Sequence, residues 1–193
     1  VLRRVDGIAA EDTRHTRGLL RHHGIETPLF SLHEHNEAAA AEKVLTRLRA
    51  GKNVALVSDA GTPCISDPGA KLVALTQRAG FKVVPLPGAN AAIAALSASG
   101  LDAPHFLFHG FLPPKSAARC QAITSLKALP CVLVFYEAPH RVIEAVTDLA
   151  QCLEAQREIV IARELTKIFE NIVRLPLADA PAVAGDADGF FRT

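Results

Sequence analysis

The sequence predicts an α/β protein of two domains, and three observations support this prediction. Short apolar segments with strand character alternate with helical segments through short links, a pattern typical of a mostly parallel sheet with helices on both faces. A linker containing Gly and Pro, SGLDAPH at Ser99–His105, interrupts the alternation, which then begins again. We therefore predict an α/β domain over residues 1–102 and a smaller α/β domain with a mixed sheet over residues 103–193.

The first domain is predicted to alternate strictly between strands and helices. The predicted strands are Val5–Ala10, Phe30–Leu32, Val54–Ser58 and Lys82–Leu86, and the predicted helices are Arg14–His23, Ala38–Ala50, Gly69–Ala79 and Ala89–Ser99. Thr13 and Asn36 precede two of these helices and are residue types that cap helix N-termini. The second helix carries an apolar stripe that should be buried, formed by Ala41, Val44, Leu45 and Leu48.

The second domain repeats the alternation with less regularity. Its predicted elements are strand Phe106–Gly110, helix Ser116–Leu129, strand Cys131–Tyr136, helix His140–Leu153, strand Glu158–Arg163 and strand Phe169–Leu175. The tail from Ala178 to Thr193 is rich in Ala, Asp and Gly. Such a terminal composition is typical of a mobile segment.

Composition limits the class of protein. Hydrophobic residues make up 49% of the 193 residues and charged residues 21%, which suits a packed core and excludes global disorder. No run of about 18 apolar residues occurs, so no membrane span is expected. The net charge of +1 excludes a strongly basic nucleic-acid coat but leaves a local basic patch possible.

The cysteines and the first residues of the chain lead to two further expectations, about the state of the thiols and about an upstream segment. The four cysteines show no CxxC pairing, which favours reduced thiols in a cytoplasmic protein over a zinc site. The chain begins at Val1 and contains no Met. We therefore expect a strand and a loop upstream of the residues given.

Polar loops follow several predicted strands at their carboxyl ends, where open α/β sheets bind ligands. They are AEDTRHT, SDAGTPCISDPG, PLPGANAA and YEAPHR. The second loop offers groups for a sugar diol, an amino-acid head group or a phosphate. Phosphate is disfavoured because GxxxxGK[ST] and GxGxxG are both missing and two acids would repel an anion. Asp59, directly at the strand end, is expected to bind a ligand, whereas Asp67 is expected to cap the next helix.

Two other segments have competing interpretations. Gly88 in PLPGANAA begins a helix of small residues, which would admit a flat ligand, although ordinary close packing of helix on sheet is equally compatible. SLHEHNE contains His33 and His35, but a His-x-His pair needs a third ligand to form a metal site. We therefore expect no metal, and we expect Asn36 to act as a helix cap.

Seven segments together resemble a known group. AAEDTRHT, SLHEHNE, ALVSDAGTPCISDPG, VVPLPGANAAIAAL, GFLPPK, FYEAPHR and ARELTKIFE occur in that order between Val1 and about Glu170. They are similar to the ribosomal RNA small subunit methyltransferase I group of the tetrapyrrole methylase superfamily. The family's opening strand and Pro-Ile-Gly-Asn type loop have no counterpart here, and the match fades beyond Glu170.

The resemblance implies a methyltransferase that uses S-adenosylmethionine. Family members methylate the ribose 2′-oxygen of a cytidine in the decoding region of 16S rRNA. The resemblance also implies a homodimer and two α/β domains with the cofactor in the cleft between them. Carried onto this sequence, the cofactor-binding residues are Asp59, Ala60, Gly61, Pro87, Gly88, Asn90, Ala91, Ala92, Tyr136 and Glu137.

Methyl transfer from a sulfonium mainly requires alignment of the reacting atoms, and a base should assist the weakly acidic ribose hydroxyl. We expect the residues that handle the substrate within the loop Glu11–His15, with Glu11, Asp12 and His15 as catalytic candidates. The expected contacts with the RNA backbone are Arg14, Arg17, Arg21, Lys115 and Arg119. A solvated helix face explains the arginine stripe equally well.

Two other functions remain open from the sequence. A corrin or porphyrin methyltransferase of the same superfamily would need a broad apolar trough, and the arginine-rich first helix favours RNA instead. A nucleotide-binding or ribosome-associating module without chemistry is the second alternative. Cofactor binding and methyl transfer assays distinguish the three.

Overall fold

The computed structural model describes residues 1–33, 36–102 and 104–185. The chain separates into two compact units, one from Val1 to Asn90 and another that begins at Ala91. The helix that follows Asn90 therefore belongs to the second unit. The linker predicted at Ser99–His105 stays a prediction as a domain boundary.

The first unit contains a parallel sheet with helices between its strands. Its elements are β1 (Gly7–Ala10), α1 (Thr13–His22), β2 (Leu29–Ser31), α2 (Glu37–Arg49), β3 (Val54–Val57) and α3 (Ala70–Arg78). The strand order is β2-β1-β3, and β1 is parallel to both neighbours. Every residue of β1 is buried, because a central strand is covered on both edges and both faces.

The core of this unit contains the apolar stripe that the sequence predicted on α2. Ala41, Val44 and Leu45 are each at most 4% exposed. Ala41 and Val44 belong to the buried cluster of this unit, and the partly buried Leu48 packs against it. The cluster also contains Ala9 of β1. The 3.6-residue spacing of these side chains therefore indicated correctly which face of α2 meets the sheet.

The strand predicted at Lys82–Leu86 is wrong. This segment has no regular secondary structure, and Val84 and Leu86 are 59% and 60% exposed. Pro85 and Pro87 supply no N–H, and proline is tolerated in a sheet chiefly at edges or strand starts. Two prolines so close together prevent the segment from pairing as a strand.

The second unit contains four strands and four α-helices among its described residues. Its elements are α4 (Ala91–Ala98), β4 (Phe106–Phe111), α5 (Ser116–Leu126), β5 (Val132–Tyr136), a 3-10 turn at Pro139–Arg141, α6 (Val142–Cys152), β6 (Glu158–Arg163), β7 (Asn171–Pro176) and α7 (Ala180–Gly185). β4 is parallel to β5 and β6 is antiparallel to β7. Both kinds of pairing are therefore present, in two separate ladders.

The second unit has its own core, and part of its tail is ordered. Leu112, Ile123 and Val146 are buried together with Leu177 and Ala180. α7 forms within the segment predicted to be mobile, because Ala180 and Ala184 are buried. Residues 186–193 of that segment lie outside the described residues. No helix in the part of the chain that the structure describes is long and apolar enough to cross a membrane.

Candidate active site

Two loops meet beyond the carboxyl ends of β1 and β3, where the sequence placed the candidate site. Glu11 follows β1, and its Oε2 accepts a hydrogen bond from the backbone N–H of Asp59 over 3.2 Å. The backbone N–H of Asp12 in turn donates to Asp59 Oδ1 over 3.2 Å. Because β1 and β3 are adjacent parallel strands, these bonds join the two loops at one edge of the sheet. Asp59 remains exposed there and can reach a ligand.

The loop that begins at Asp59 is tied to the segment Pro87–Asn90. The Thr62 hydroxyl donates to the carbonyl oxygen of Ala89 over 2.9 Å. A Cβ on Gly61 would lie 3.7 Å from that same oxygen. Asp59, Ala60, Gly61, Pro87 and Gly88 are all exposed, and Asn90 is half-buried. The residues of this unit that the resemblance assigned to the cofactor therefore lie on two adjoining loops.

This loop has an unusual backbone. Cys64 and Ser66 have φ of 70° and 64°, in the left-handed region that residues with a Cβ rarely adopt. Gly69 has φ of 127°, and a Cβ there would lie 2.8 Å from Leu56 Cδ2 and 3.0 Å from Cys64 Sγ. Non-glycine residues in this region cluster at ligand sites, which supports a binding role for the loop.

Asp67 does not cap the following helix, so that prediction is wrong. The N-cap residue of α3 is Gly69. Glu37 of α2 supplies the acceptor, because its Oε1 accepts from the backbone N–H groups of Gly69 and Lys71, each over 3.0 Å. A buried carboxylate from another helix thus satisfies the donors that a local Asp was expected to satisfy.

Asp67 instead adds a further carboxylate near Glu11 and Asp59. Partial burial raises its pKa above the ordinary value, and the negative charges of Glu11 and Asp59 raise it further, against an opposing hydrogen bond from Ser58. A carboxylate whose pKa is raised accepts a proton more readily than an ordinary Asp side chain. Sequence reasoning missed this role, although the second Asp of the loop was the available signal.

Asp12 has a structural role at the start of α1. It is the N-cap residue, where Thr13 was predicted, and its Oδ1 accepts from the backbone N–H of Arg14 over 2.7 Å. The Arg14 guanidinium also pairs with Asp12 Oδ2 at 2.9 Å. The hydrogen bonds from Arg14 lower the pKa of Asp12 to about 2. His15, the third catalytic candidate, is exposed on the first turn of α1.

The second unit brings its own cofactor candidates together. The backbone N–H of Ala92 donates to the Tyr136 hydroxyl over 3.3 Å, which joins the start of α4 to the end of β5. Glu137 follows directly, with a side chain only 11% exposed. Its Oε1 accepts from the N–H of Ala138 over 2.9 Å and lies 3.3 Å from Arg141 Nε. Its Oε2 is buried without a hydrogen-bond donor among the described residues. A buried acceptor of this kind suits a donor group on a ligand. Ala91, also predicted at the cofactor, is exposed.

The predicted RNA contacts divide into an exposed set and one buried residue. Arg14, Arg17 and Arg21 are exposed on α1, and Lys115 is exposed at the start of α5. Arg119 is only 1% exposed, and its Nε donates to Asp148 Oδ2 over 2.6 Å. Its position is inconsistent with the predicted RNA contact, because a guanidinium that neutralises a buried carboxylate cannot reach a phosphate.

The prediction about metal concerns residues that are only partly described. Glu34 and His35 of SLHEHNE lie outside the described residues. Asn36 precedes α2 without a side-chain bond to its first turn. Its Oδ1 instead accepts from the N–H of His33 over 2.9 Å. Among the residues that the structure describes, no group of three or more His, Cys, Asp or Glu could hold a metal ion.

Comparison with known proteins identifies a family and several relatives. The profile of the family described as Tetrapyrrole (Corrin/Porphyrin) Methylases matches residues 1–181. The ribosomal RNA small subunit methyltransferase I of Xylella fastidiosa Temecula1 is 56% identical over 92% of this chain and 65% of its own length. The protein of the same name from Pseudomonas aeruginosa is 52% identical over 93% of this chain and 64% of its own length. The chain thus spans less than two thirds of these curated relatives.

Solved structures share the fold at low sequence identity. The methyltransferase CobJ has a TM-score of 0.66 and 20% identity, over 93% of this chain and 79% of that chain. Uroporphyrin-III C-methyl transferase from Thermus thermophilus, complexed with S-adenyl homocysteine, has a TM-score of 0.58 and 16% identity, over 95% of this chain and 81% of that chain. At these identities the likeness shows a common fold and nothing further about activity.

Proposed function

The chain belongs to the tetrapyrrole (corrin/porphyrin) methylase family, and we propose that it is part of a methyltransferase that modifies ribosomal RNA. In this proposal the methyl donor is S-adenosylmethionine, and the acceptor is the ribose 2′-oxygen of a cytidine in the decoding region of 16S rRNA. The enzyme acts in the cytoplasm as a homodimer on the small ribosomal subunit. The observation that carries the proposal is the adjoining pair of loops at Asp59–Gly61 and Pro87–Asn90, joined by the bond from Thr62 to Ala89.

The relatives favour RNA over a corrin or porphyrin as the acceptor. Those with 52–56% identity are named for ribosomal RNA, whereas a cobalt precorrin-4 methyltransferase and a uroporphyrin-III C-methyltransferase share this chain's fold at 16% and 20% identity. Specificity depends on residues in the site rather than on the fold. The higher identity therefore supports the RNA methyltransferase over the tetrapyrrole enzyme.

The residues of each unit fit an adenosyl ligand. Asp59 presents an exposed carboxylate that suits a ribose diol, and Gly61 and Gly88 leave the backbone beside it accessible. In the second unit, the buried Oε2 of Glu137 offers an acceptor for an amino group. S-adenosylmethionine, when bound, supplies a methyl group that its sulfonium already activates. The protein's contribution is then to bind, orient and deprotonate.

The acids at the sheet edge differ in their ability to take the proton of the ribose hydroxyl. Asp12, with a pKa of about 2, is a poor proton acceptor and holds the start of α1 instead. Burial and the charge of Glu11 raise the pKa of Asp67, which suits an acceptor better. We assign proton transfer to the group formed by Glu11, Asp67 and the exposed His15.

The exposed arginine stripe of α1 is the proposed contact with the RNA backbone. Arg14, Arg17 and Arg21 are spaced three and four residues apart, which places them on one side of the helix. Lys115 adds a cation in the second unit. Guanidinium groups pair well with phosphate and fix the register of a nucleic acid without reading its sequence.

A methyl transfer assay tests the proposal. We expect transfer of labelled methyl groups from S-adenosylmethionine to small ribosomal subunits that lack this modification, and no transfer to a precorrin. Asp59→Asn should weaken cofactor binding in calorimetry at least tenfold. Glu42→Gln, which removes the same charge at an exposed position of α2, should not. Transfer to the precorrin would support the tetrapyrrole enzyme instead. Cofactor binding without transfer to either acceptor would support the module without chemistry.

A salt series tests the RNA contact separately. Replacing Arg14, Arg17 and Arg21 by Ala should weaken RNA binding and reduce its salt dependence, with unchanged cofactor affinity. The matched control replaces three exposed cations elsewhere in the first unit, Lys43, Arg49 and Arg78. Equal loss in both triple variants would show that only net charge matters and would contradict the assigned stripe.

A further inference from the structure

α5 and α6 are neighbouring helices of the second unit that run in the same direction. They follow β4 and β5 respectively, and those two strands are parallel. Because each helix leads back from the end of its strand, the two helices are parallel as well. At the start of α5, the Ser116 hydroxyl donates to Asp148 Oδ1 of α6 over 3.1 Å. This bond sets the register of one helix against the other.

The same register brings Cys120 and Cys152 face to face. Cys120 lies four residues after Ser116 on α5. Cys152 lies four residues after Asp148 on α6, so the two facing pairs share a separation of 32 positions. Residues four apart on a helix lie on one face, about one turn from each other. One turn forward on each of two parallel helices therefore leads from the first pair to the second.

A direct contact between the two thiols agrees with this register. The Cys152 thiol is hydrogen-bonded to the Cys120 thiol and to Thr124, one turn further along α5. Both cysteines are half-buried free thiols, and Cys152 packs against the core of the second unit. Thiols close enough to hydrogen-bond need only a small displacement to reach the S–S bond length of about 2.05 Å.

The environment of Cys152 affects how readily a bond made with it would break. Burial raises the pKa of the Cys152 thiol, and the neighbouring Cys120 raises it further, against the opposing hydrogen bond with Thr124. A thiol of raised pKa is a poor leaving group. Reduction that expels Cys152 from a disulfide is therefore slow.

The other two cysteines lie elsewhere in the chain and provide internal controls. Cys64 belongs to the first unit, and Cys131 directly precedes β5. Both are half-buried, as Cys120 and Cys152 are. Comparable exposure gives the four thiols similar access to a small oxidant, so a difference in their pairing reports on geometry.

We propose that Cys120 and Cys152 are a site of reversible covalent modification, at which a small-molecule disulfide oxidises the two thiols to a disulfide that joins α5 to α6. In the first step, the Cys120 thiolate attacks one sulfur of the oxidant, forms a mixed disulfide and releases one oxidant thiol. In the second step, Cys152 gives its proton to water, attacks the Cys120 sulfur and expels the other oxidant thiol. The protein loses two electrons and two protons, and the oxidant is reduced to two thiols.

The link would tie together a large part of the second unit. The chain between Cys120 and Cys152 includes β5 and most of α6. A disulfide across such a segment stabilises the fold mainly by restricting the unfolded chain. This site concerns neither cofactor nor RNA, and it stands independently of the proposed function.

Oxidation of the intact chain by oxidised glutathione tests the proposal. We expect two of the four thiols to be lost, and digestion with mass spectrometry to identify one cross-linked peptide pair that contains Cys120 and Cys152. Dithiothreitol should restore both thiols. The oxidised chain should unfold at a temperature higher by about 5 °C or more than the reduced chain.

The variants separate this pair from general thiol reactivity. Cys120→Ser and Cys152→Ser should each form no intramolecular link, whereas the matched control Cys131→Ser should form it at the rate of the parent. The peptide map of the parent does not depend on how well the variants fold.

Several outcomes would overturn the proposal. One is a link from Cys120 or Cys152 to Cys64 or Cys131, or to a second copy of the chain on a non-reducing gel. Others are glutathione retained on a single thiol without closure of the link, and a link that forms only after unfolding in urea. A lower unfolding temperature for the oxidised chain would contradict the register on which the proposal rests.

Discussion

Glu37 in the first unit and Arg119 in the second are both buried charged side chains, but different partners compensate their charges. Glu37 has a side chain 8% exposed and accepts from the first backbone N–H groups of α3. Arg119 has a side chain 1% exposed and pairs with Asp148 at 2.6 Å and with Glu144 at 3.4 Å. The first charge is matched by the N-terminal N–H groups of α3 and by the exposed Lys71 ammonium at the longer distance of 3.9 Å. The second is matched by two carboxylates.

The difference predicts how much stability each unit loses when a partner of its buried charge is removed. Helix N-terminal donors attract an anion through partial charges, and water can replace the acceptor if it is removed. A full buried charge whose partner is removed keeps its desolvation cost without compensation. We therefore expect the second unit to be more sensitive to a single change at its buried charge. Four predictions test this order and extend it to two further carboxylates, Asp67 and Asp12.

The largest effect should come from breaking the pair between Arg119 and Asp148. Arg119→Ala leaves Asp148 buried and without its closest cation, and should lower the free energy of unfolding by about 3–5 kcal/mol. Urea denaturation measures the change. The double variant Arg119→Leu with Asp148→Leu replaces the pair with apolar side chains and should recover most of the loss. A loss under 1 kcal/mol in the single variant would refute the comparison.

Removing the cap on α3 should cost less. Glu37→Ala leaves the N–H groups of Gly69 and Lys71 without their acceptor, which should cost about 1–3 kcal/mol in the free energy of unfolding. Glu37→Gln keeps an acceptor oxygen and should lose less than half as much. If both variants lost the same amount, charge rather than the acceptor would be responsible.

Asp67 sharpens the comparison because its environment disfavours the charge. Its pKa is raised in the folded protein, so its contribution to stability is favourable below the unfolded pKa of about 3.9 and is lost as pH rises through the folded pKa. Asp67→Asn should therefore be more stable than the parent at pH 7 and equally stable at pH 3. Denaturation midpoints across this range check the sign, and a variant less stable at pH 7 would contradict it.

The smallest effect should come from the exposed pair between Asp12 and Arg14. The pKa of Asp12 falls to about 2 in the folded protein. Its stabilising contribution is present above the unfolded pKa of about 3.9 and disappears as pH falls through about 2. The stability difference between the parent and Asp12→Ala should shrink over this window, opposite to Asp67→Asn. Added salt should reduce it because the pair is exposed.

Local patterns in the sequence, such as hydrophobic periodicity and apolar runs, predicted much of the fold. The periodicity of α2 identified its buried face, and β6 was predicted with the bounds that the structure has, Glu158–Arg163. The strand predicted at Lys82–Leu86 does not form, because Pro85 and Pro87 lack the N–H groups that pairing in a sheet requires. At the site, the sequence placed Glu11 and Asp59 in polar loops at the carboxyl ends of predicted strands, and parallel strands bring such ends to one edge.

The sequence by itself determined the α/β alternation and the edge of the sheet at which polar loops gather, because hydrophobic period and turn residues act over a few neighbours. Only the tertiary structure decided the roles of individual charges. Glu37 caps a helix 32 residues away, and Arg119 is buried against Asp148, 29 residues away. Such pairings depend on which buried groups need a partner once the chain has packed, and no local pattern records that.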